Sequence, residues 1–193
     1  MHQRLAAAAS AAVLAILLAG CTASSPTPTP TPTAPAGSAA PTQPVAGGTL
    51  HFPTCDAVST ALAGMQGDLV FDPTKSASQT AQEAYPQRVC VYGSADGQTQ
   101  LGVTLAGIPF QQSEIDGYAT LPNAIADDRL RPNKAVLQNF TSSDKDFRLS
   151  LFDVAVSITI QGRSTTGPTS ATIPALSLPA ATDAAFALRA LVR

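Results

Sequence analysis

Phe147-Arg148-Leu149-Ser150-Leu151-Phe152-Asp153-Val154-Ala155-Val156-Ser157-Ile158-Thr159-Ile160-Gln161 is the stretch that decides the fold. Phe147, Leu149 and Leu151 alternate with polar residues, which is the period of a strand with one face in the core. Val154, Val156, Ile158 and Ile160 alternate as well, but on the opposite parity. One straight strand cannot carry two parities to the same face. The change at Phe152-Asp153 therefore predicts a bulge or a turn. Residues 136–141 read as a further strand, joined to this region by the turn-forming run Ser142-Ser143-Asp144-Lys145-Asp146.

The same alternation recurs upstream. Leu101, Val103 and Leu105 alternate with Gly102 and Thr104. Residues 88–92 and 100–105 read as a hairpin closed by Ala95-Asp96-Gly97. Helical spacing appears in three places. Asp56 opens a pattern in which Val58, Ala61, Leu62 and Met65 share one face, with Thr54 as N-cap and Gly67 as the stop. Residues 111–120 carry Ile115 and Tyr118 inward and end at Pro122. Ala181, Ala185, Leu188 and Val192 form a last stripe, with Pro179 at its start. Leu69-Val70-Phe71 reads as a short strand ended by Asp72-Pro73. Residues 74–83 read as a surface loop or weak helix, residues 124–132 as a charged loop or short helix, and residues 165–169 as loop. Hairpins outnumber crossovers, so the expected fold is α+β: an antiparallel sheet of about four to six strands packed against two or three helices. The folding part spans residues 49–193, long enough to bury roughly two-thirds of its unfolded surface.

The N-terminal end reads as an address. Met1-His2-Gln3-Arg4 is a short basic start, and residues 5–18 are apolar or small. That run is short for a membrane span, which needs about 20 apolar residues, and it has the layout of an export signal. Leu18-Ala19-Gly20-Cys21 looks like a bacterial lipobox. A thiol at the new N-terminus carries the diacylglycerol thioether, and small residues before it fit the peptidase cleft. Residues 1–20 are thus expected to be removed and Cys21 to be lipidated, anchoring the chain at the extracytoplasmic face of the cell membrane. A plain signal peptide that happens to contain a cysteine, or an uncleaved anchor, is the competing reading. The full chain carries 11 basic and 13 acidic residues. Loss of Arg4 moves the net charge from −2 to −3, so the acyl chains, not charge, must hold the anchor.

Residues 22–48 contain seven prolines and six threonines, with no charge and no aromatic ring. Alternating prolines exclude helix and sheet, leaving an extended tether that reaches roughly 80 Å at about 3.1 Å per residue. A Pro/Thr tract is also an O-glycan acceptor or a ligand for a proline-recognising domain.

With Cys21 assigned to lipid, Cys55 and Cys90 remain. An even remainder in an exported domain suggests a disulfide, with two separate buried thiols as the alternative. Cys55-Asp56 after a proline-rich lipoprotein linker, followed about 35 residues later by Cys90-Val91-Tyr92, resembles the actinobacterial lipoproteins of unknown function that carry a Cys-Asp and Cys-x-Trp pair. Tyr92 stands where that family has Trp. Alanine richness and eight Arg to three Lys agree with a high-GC source. The resemblance implies a disulfide-braced α+β lipoprotein domain and brings no catalytic residue.

Composition narrows the function. A net charge of −2 lacks the basic excess of a nucleic-acid binder. His51 at the tether–domain boundary is the one histidine after the signal, and no Gly-x-Ser-x-Gly motif accompanies it, so a hydrolase triad is not expected. Zinc lacks ligands once the cysteines are spent, and no cofactor motif is present. Glu114/Asp116, Asp127/Asp128 and Asp144/Asp146 are the paired carboxylates that glycosidase chemistry would need. Asp144 and Asp146 sit in a turn, and Asp127-Asp128 sit beside Arg129 and Arg131, so local roles are expected. Asn139-Phe140-Thr141 matches a glycosylation sequon, in a strand. The expected function is a non-enzymatic, lipid-anchored domain that binds an envelope protein, glycan or lipid partner. A carrier of an apolar molecule is the alternative, and a cell-wall enzyme the third.

Overall fold

The period-two segments pair as their apolar faces require. A computed structural model describes residues 50–80 and 85–193. The expected export signal, Cys21 and the Pro/Thr tether lie outside the described residues. Seven strands form one sheet: β1 (Val70–Phe71), β2 (Gln87–Gly93), β3 (Thr99–Ala106), β4 (Ala124–Ile125), β5 (Val136–Asn139), β6 (Asp146–Phe152) and β7 (Ser157–Ser164). The order is β1-β2-β3-β7-β6-β5-β4, and each neighbouring pair is antiparallel. Two meanders, β1-β2-β3 and β4-β5-β6-β7, thus meet at the β3–β7 seam. The strand count exceeds the expected four to six by the two-residue β4, in a segment expected as loop or short helix; β1, expected at residues 69–71, is equally short at the other edge. Such short edges leave little backbone open to another chain.

The helices are α1 (Cys55–Ala61), α2 (Pro73–Thr80), α3 (Gln112–Tyr118), α4 (Leu130–Asn133), α5 (Thr169–Thr172) and α6 (Leu178–Leu191). Thr54 caps α1 as its sequence position suggests, its side chain accepting from the Ala57 N–H. The helix stops before Gly67, however. Ala63 and Gly64 already take left-handed φ values of 50° and 82°, which turns the chain away. Met65, expected on the helical face, is buried from the turn that follows. Residues 73–80 are helical, where loop or weak helix was expected. Asp72 accepts from the Lys75 N–H at 2.9 Å, and Pro73 takes the first position, where a missing donor costs nothing. Residues 81–83 of that expected segment lie outside the described residues. A short helix, α5, begins at the end of the loop expected over residues 165–169.

One face of the sheet is the core. Cys90, Val103, Ile160 and Leu149 form one cross-strand row, and Leu105, Ile158, Leu151 and Leu137 another. Each of these eight side chains is at most 1% exposed. Val58, Leu62, Ala181, Ala185 and Leu188 of the α1 and α6 layer complete the cluster. Burying a side chain such as Leu188 contributes about 2 kcal/mol.

The parity change at Phe152-Asp153 is a turn. β6 ends at Phe152, β7 begins at Ser157, and Asp153 N–H donates to the Val156 carbonyl at 3.0 Å. Asp153 is 2% exposed. Its Oδ1 accepts from the Ala155 and Val156 N–H groups at 2.8 and 2.9 Å, and its Oδ2 meets Arg189 of α6. One carboxylate therefore shapes the hairpin and pins the last helix to it.

Cys55 and Cys90 are disulfide-bonded. The bond ties the first residue of α1 to β2. Tyr92, two positions along β2, emerges on the same face, which explains the Cys-x-aromatic spacing. Its hydroxyl donates to the Cys55 carbonyl at 3.0 Å. Burial pushes this phenol's pKa up, opposed by the Ser59 hydrogen bond and reinforced by the Asp56 charge. The group therefore stays protonated and able to donate. Gly162 marks a close approach: a Cβ there would stand 2.3 Å from Leu176 Cδ2.

The Cys55→Ser/Cys90→Ser double variant is expected to lose about 3–4 kcal/mol in urea unfolding, since the bridge closes a 35-residue loop. Gly162→Ala is expected to lose about 1–3 kcal/mol, because the buried Leu176 side chain must shift to admit the new methyl. Gly102→Ala on β3, whose new Cβ would lie 3.9 Å from its nearest neighbour atom, is expected to leave stability unchanged or raised. Equal urea midpoints for the two glycine variants would refute the packing argument.

Candidate functional site

The second face of the sheet is covered only at its flanks. On one side α2 lies on β2: Ser76 Oγ accepts from the Val91 N–H at 3.0 Å and donates to the Asp72 carbonyl at 2.6 Å. On the other side α3 lies on β5, with buried Gln138 donating from Nε2 to the Tyr118 carbonyl at 3.1 Å. Between these helices the central strands turn Gln100, Gly102 and Thr104 (β3) and Thr159, Gln161 and Arg163 (β7) outward. With Gln79 of α2 they line a hollow of about 160 Å³. Gly102 makes it possible: it faces Gln161 across the seam, and the missing side chain lowers the floor at that rung.

The hydrogen bonds of the floor are unevenly used. Gln161 Nε2 and Arg163 Nε both donate to Asp146 Oδ1, at 3.0 and 3.2 Å. Thr159 shares a 2.9 Å hydroxyl bond with buried Ser150. Gln100 and Thr104 side chains have no hydrogen-bond partner among the described residues. A half-exposed row of amides and hydroxyls is thus left to water or a ligand.

Rings border the α3 side. Phe110, Tyr118 and Phe152 have centroids 5.6–6.2 Å apart, and Phe140 stands 6.4 Å from Phe152. Phe140 is 39% exposed, with the Arg148 guanidinium 5.5 Å from its ring centre. Arg148 lies directly across from Gln161, so one rung runs Gly102, Gln161, Arg148 and then Phe140. Sequence reading placed Gly102 and Thr104 on the outward face of a strand but gave no reason to single them out. The detectable signal was the set of polar outward positions on β3 and β7, which becomes a site only once the seam joins them.

Of the six singled-out carboxylates, Glu114, Asp116 and Asp127 have partners close by in sequence, and Asp146 is held from β7 by Gln161 and Arg163. Glu114 accepts from the Gln111 N–H at 2.7 Å and so caps α3, and Asp116 accepts from Gln112. Asp127 pairs with Arg129 at 2.7 Å, as its neighbourhood suggests. Arg129 also reaches Asp183 at 2.8 Å and lies 4.2 Å from the Phe186 ring centre, a link to α6 that no local reading contains. Asp144 serves through its carbonyl, which accepts from the Thr169 N–H at 2.7 Å. His51 is paired through its backbone with Arg193, at 2.7 and 3.3 Å. Among the described residues no group of three His, Cys, Asp or Glu side chains is placed to hold a metal. A second hollow, of about 390 Å³ and open to solvent, lies between α6 and the residues around Leu62 and Met65, with Ala180, Ala184 and Ala187 on its wall.

Two of the singled-out carboxylates are held charged in acid. The Arg129 side chain and amide bring Asp127 down to about 2. Burial opposes the charge on Asp146, but bonds from Gln161, Ser142 and Arg163 outweigh it and lower its pKa. A carboxyl depressed in the folded state adds stability above its unfolded value, about 3.9, and loses it as the pH falls through the folded value. The urea midpoint, followed by circular dichroism, is therefore expected to drop between about pH 4 and pH 2, and Asp127→Asn to flatten that drop. An unchanged slope in the variant would remove Asp127 from the account.

No protein-family model, no curated protein and no solved structure matches this chain.

Proposed function

We propose that this chain is a non-enzymatic, lipid-anchored domain that binds a ligand or partner at the outer face of the cytoplasmic membrane. The observation that carries the reading is the polar hollow on the second sheet face, where Gln100 and Thr104 have no partner among the described residues. A sheet whose central strands are buried on one face and carry amides and hydroxyls along the middle of the other has a surface suited to recognition. The lipobox at Leu18-Ala19-Gly20-Cys21 supplies the address, and the uncharged Pro/Thr tract supplies the reach. The structural engagement of Glu114 in a helix cap, of Asp127 with Arg129 and of Asp146 with Gln161 supports a binding role over acid–base catalysis. The likeness of Cys55-Asp56 and Cys90-Val91-Tyr92 to actinobacterial lipoproteins supports the same address. The apolar-carrier reading has its footing in the alanine-walled hollow beside α6.

Two measurements test this, one on extracted protein and one in intact cells. Mass spectrometry of the membrane-extracted protein is expected to show a chain that begins at Cys21 and carries diacylglycerol; a chain that keeps residues 1–20, or an unmodified Cys21, would overturn the lipid anchor. A photo-crosslinking amino acid placed at Gln100 is expected to form adducts that the same probe at Ala187 does not. Adducts at Ala187 alone would favour the carrier.

A further inference from the structure

We propose that the hollow across β3 and β7 is a subsite for an uncharged glycan, a sugar ring seated over Gly102; this rests on the binding role argued above. The chemistry of the lining selects the ligand class. Gln79, Gln100 and Gln161 present amides, and Thr104 and Thr159 present hydroxyls. Amide groups offer donors and acceptors side by side, and hydroxyls do both from one atom. The matching ligand is one whose own groups both donate and accept at short intervals, which is the character of a polyol. A fatty chain leaves these groups unpaired on desolvation, at a cost of a lost hydrogen bond each. A phosphate or carboxylate finds little net charge in the hollow. Arg163 is the one cation among its lining residues, and Asp146 on the adjacent strand already engages it at 3.2 Å.

Shape agrees with chemistry. A hollow of about 160 Å³ has the scale of a single ring, not of a lipid or a folded partner. It is open above, so a longer chain need not end there. The rung through Gly102 and Gln161 leads to Arg148 and Phe140, an exposed aromatic for the apolar face of a neighbouring sugar. Arg148 is exposed and carries the one charge near this path without a carboxylate partner among the described residues. It lies on Phe140, outside the hollow.

The test uses the full chain in detergent with defined probes: maltohexaose, mannohexaose and N-acetylchitohexaose as neutral oligosaccharides, hexagalacturonate as an anionic one, and palmitate. Binding is read by calorimetry and by shifts of the Gly102 and Gln100 backbone amides. At least one neutral probe is expected to bind, with an affinity unchanged from about 50 to about 500 mM salt. Gly102→Val, which adds a side chain that a strand favours, is expected to fold normally and to lose about tenfold or more in affinity. Gln100→Ala is expected to lose about fivefold. Three outcomes overturn the glycan assignment: no neutral probe binding at about 10 mM, binding that survives Gly102→Val, or binding that fades with salt. Hexagalacturonate or palmitate bound in place of the neutral probes, and lost in Gly102→Val, also overturns it while keeping the hollow as a binding site. Adducts at Gln100 in cells without glycan binding separate the two failures in the same way.

Discussion

The β3–β7 seam is the constraint from which the rest of the domain follows. Eight residue pairs, from Thr99 opposite Ser164 to Ala106 opposite Ser157, join two meanders that are otherwise each built from near neighbours in sequence. The seam brings Leu101, Val103 and Leu105 beside Ile158 and Ile160, the middle of the core. It also brings Gln100, Gly102 and Thr104 beside Thr159, Gln161 and Arg163. A strand pair has only two faces, so fixing the first set inward fixes the second outward. The polar hollow is therefore the reverse side of the core, set by the same register.

The helices are distributed to match. On the core face α1 and α6, with Ile173 and Leu176 between, cover the central strands, and Gly162 is where that layer comes closest to the sheet. On the other face α2 and α3 sit over β2 and β5, leaving the centre of the sheet bare. Asp153 is one structural link, since it forms the β6–β7 turn and engages α6. Arg129 is another, joining Asp127 ahead of α4 to Asp183 of α6.

Much of this was legible because strand alternation and turn chemistry are local. The hairpin around Ala95-Asp96-Gly97, the antiparallel α+β class and the break at Phe152-Asp153 all follow from residues within a few positions of each other. The disulfide followed from counting cysteines once Cys21 was set aside. What was not legible depends on distant residues. Strand β4 is two residues long, too short to carry a period, and lies where a charged loop or short helix is expected. The early end of α1 depends on left-handed φ at Ala63, a residue type that does not announce it. Residues 73–80 have a polar composition that leaves loop and weak helix open; Asp72 and Pro73 start the helix and β2 gives it a place to lie. The hollow itself is split between two strands more than 50 positions apart, and neither half is unusual alone.

The bridge between Cys55 and Cys90 also sets how the domain meets a mechanical load. A pull on the chain ahead of the domain first reaches the paired backbones of His51 and Arg193, two hydrogen bonds that yield early. The next fixed point is Cys55, and there the force crosses a covalent bond directly into β2, which is paired with β3 over seven residues. The helices α1 and α2, the turns after α1 and the short β1 sit inside the closed loop, off the covalent path of the force. Resistance to forced unfolding is a matter of unfolding rate, not of equilibrium stability. The disulfide thus transfers strain past the helices and onto the sheet, the part of the domain with the most hydrogen bonds to oppose it.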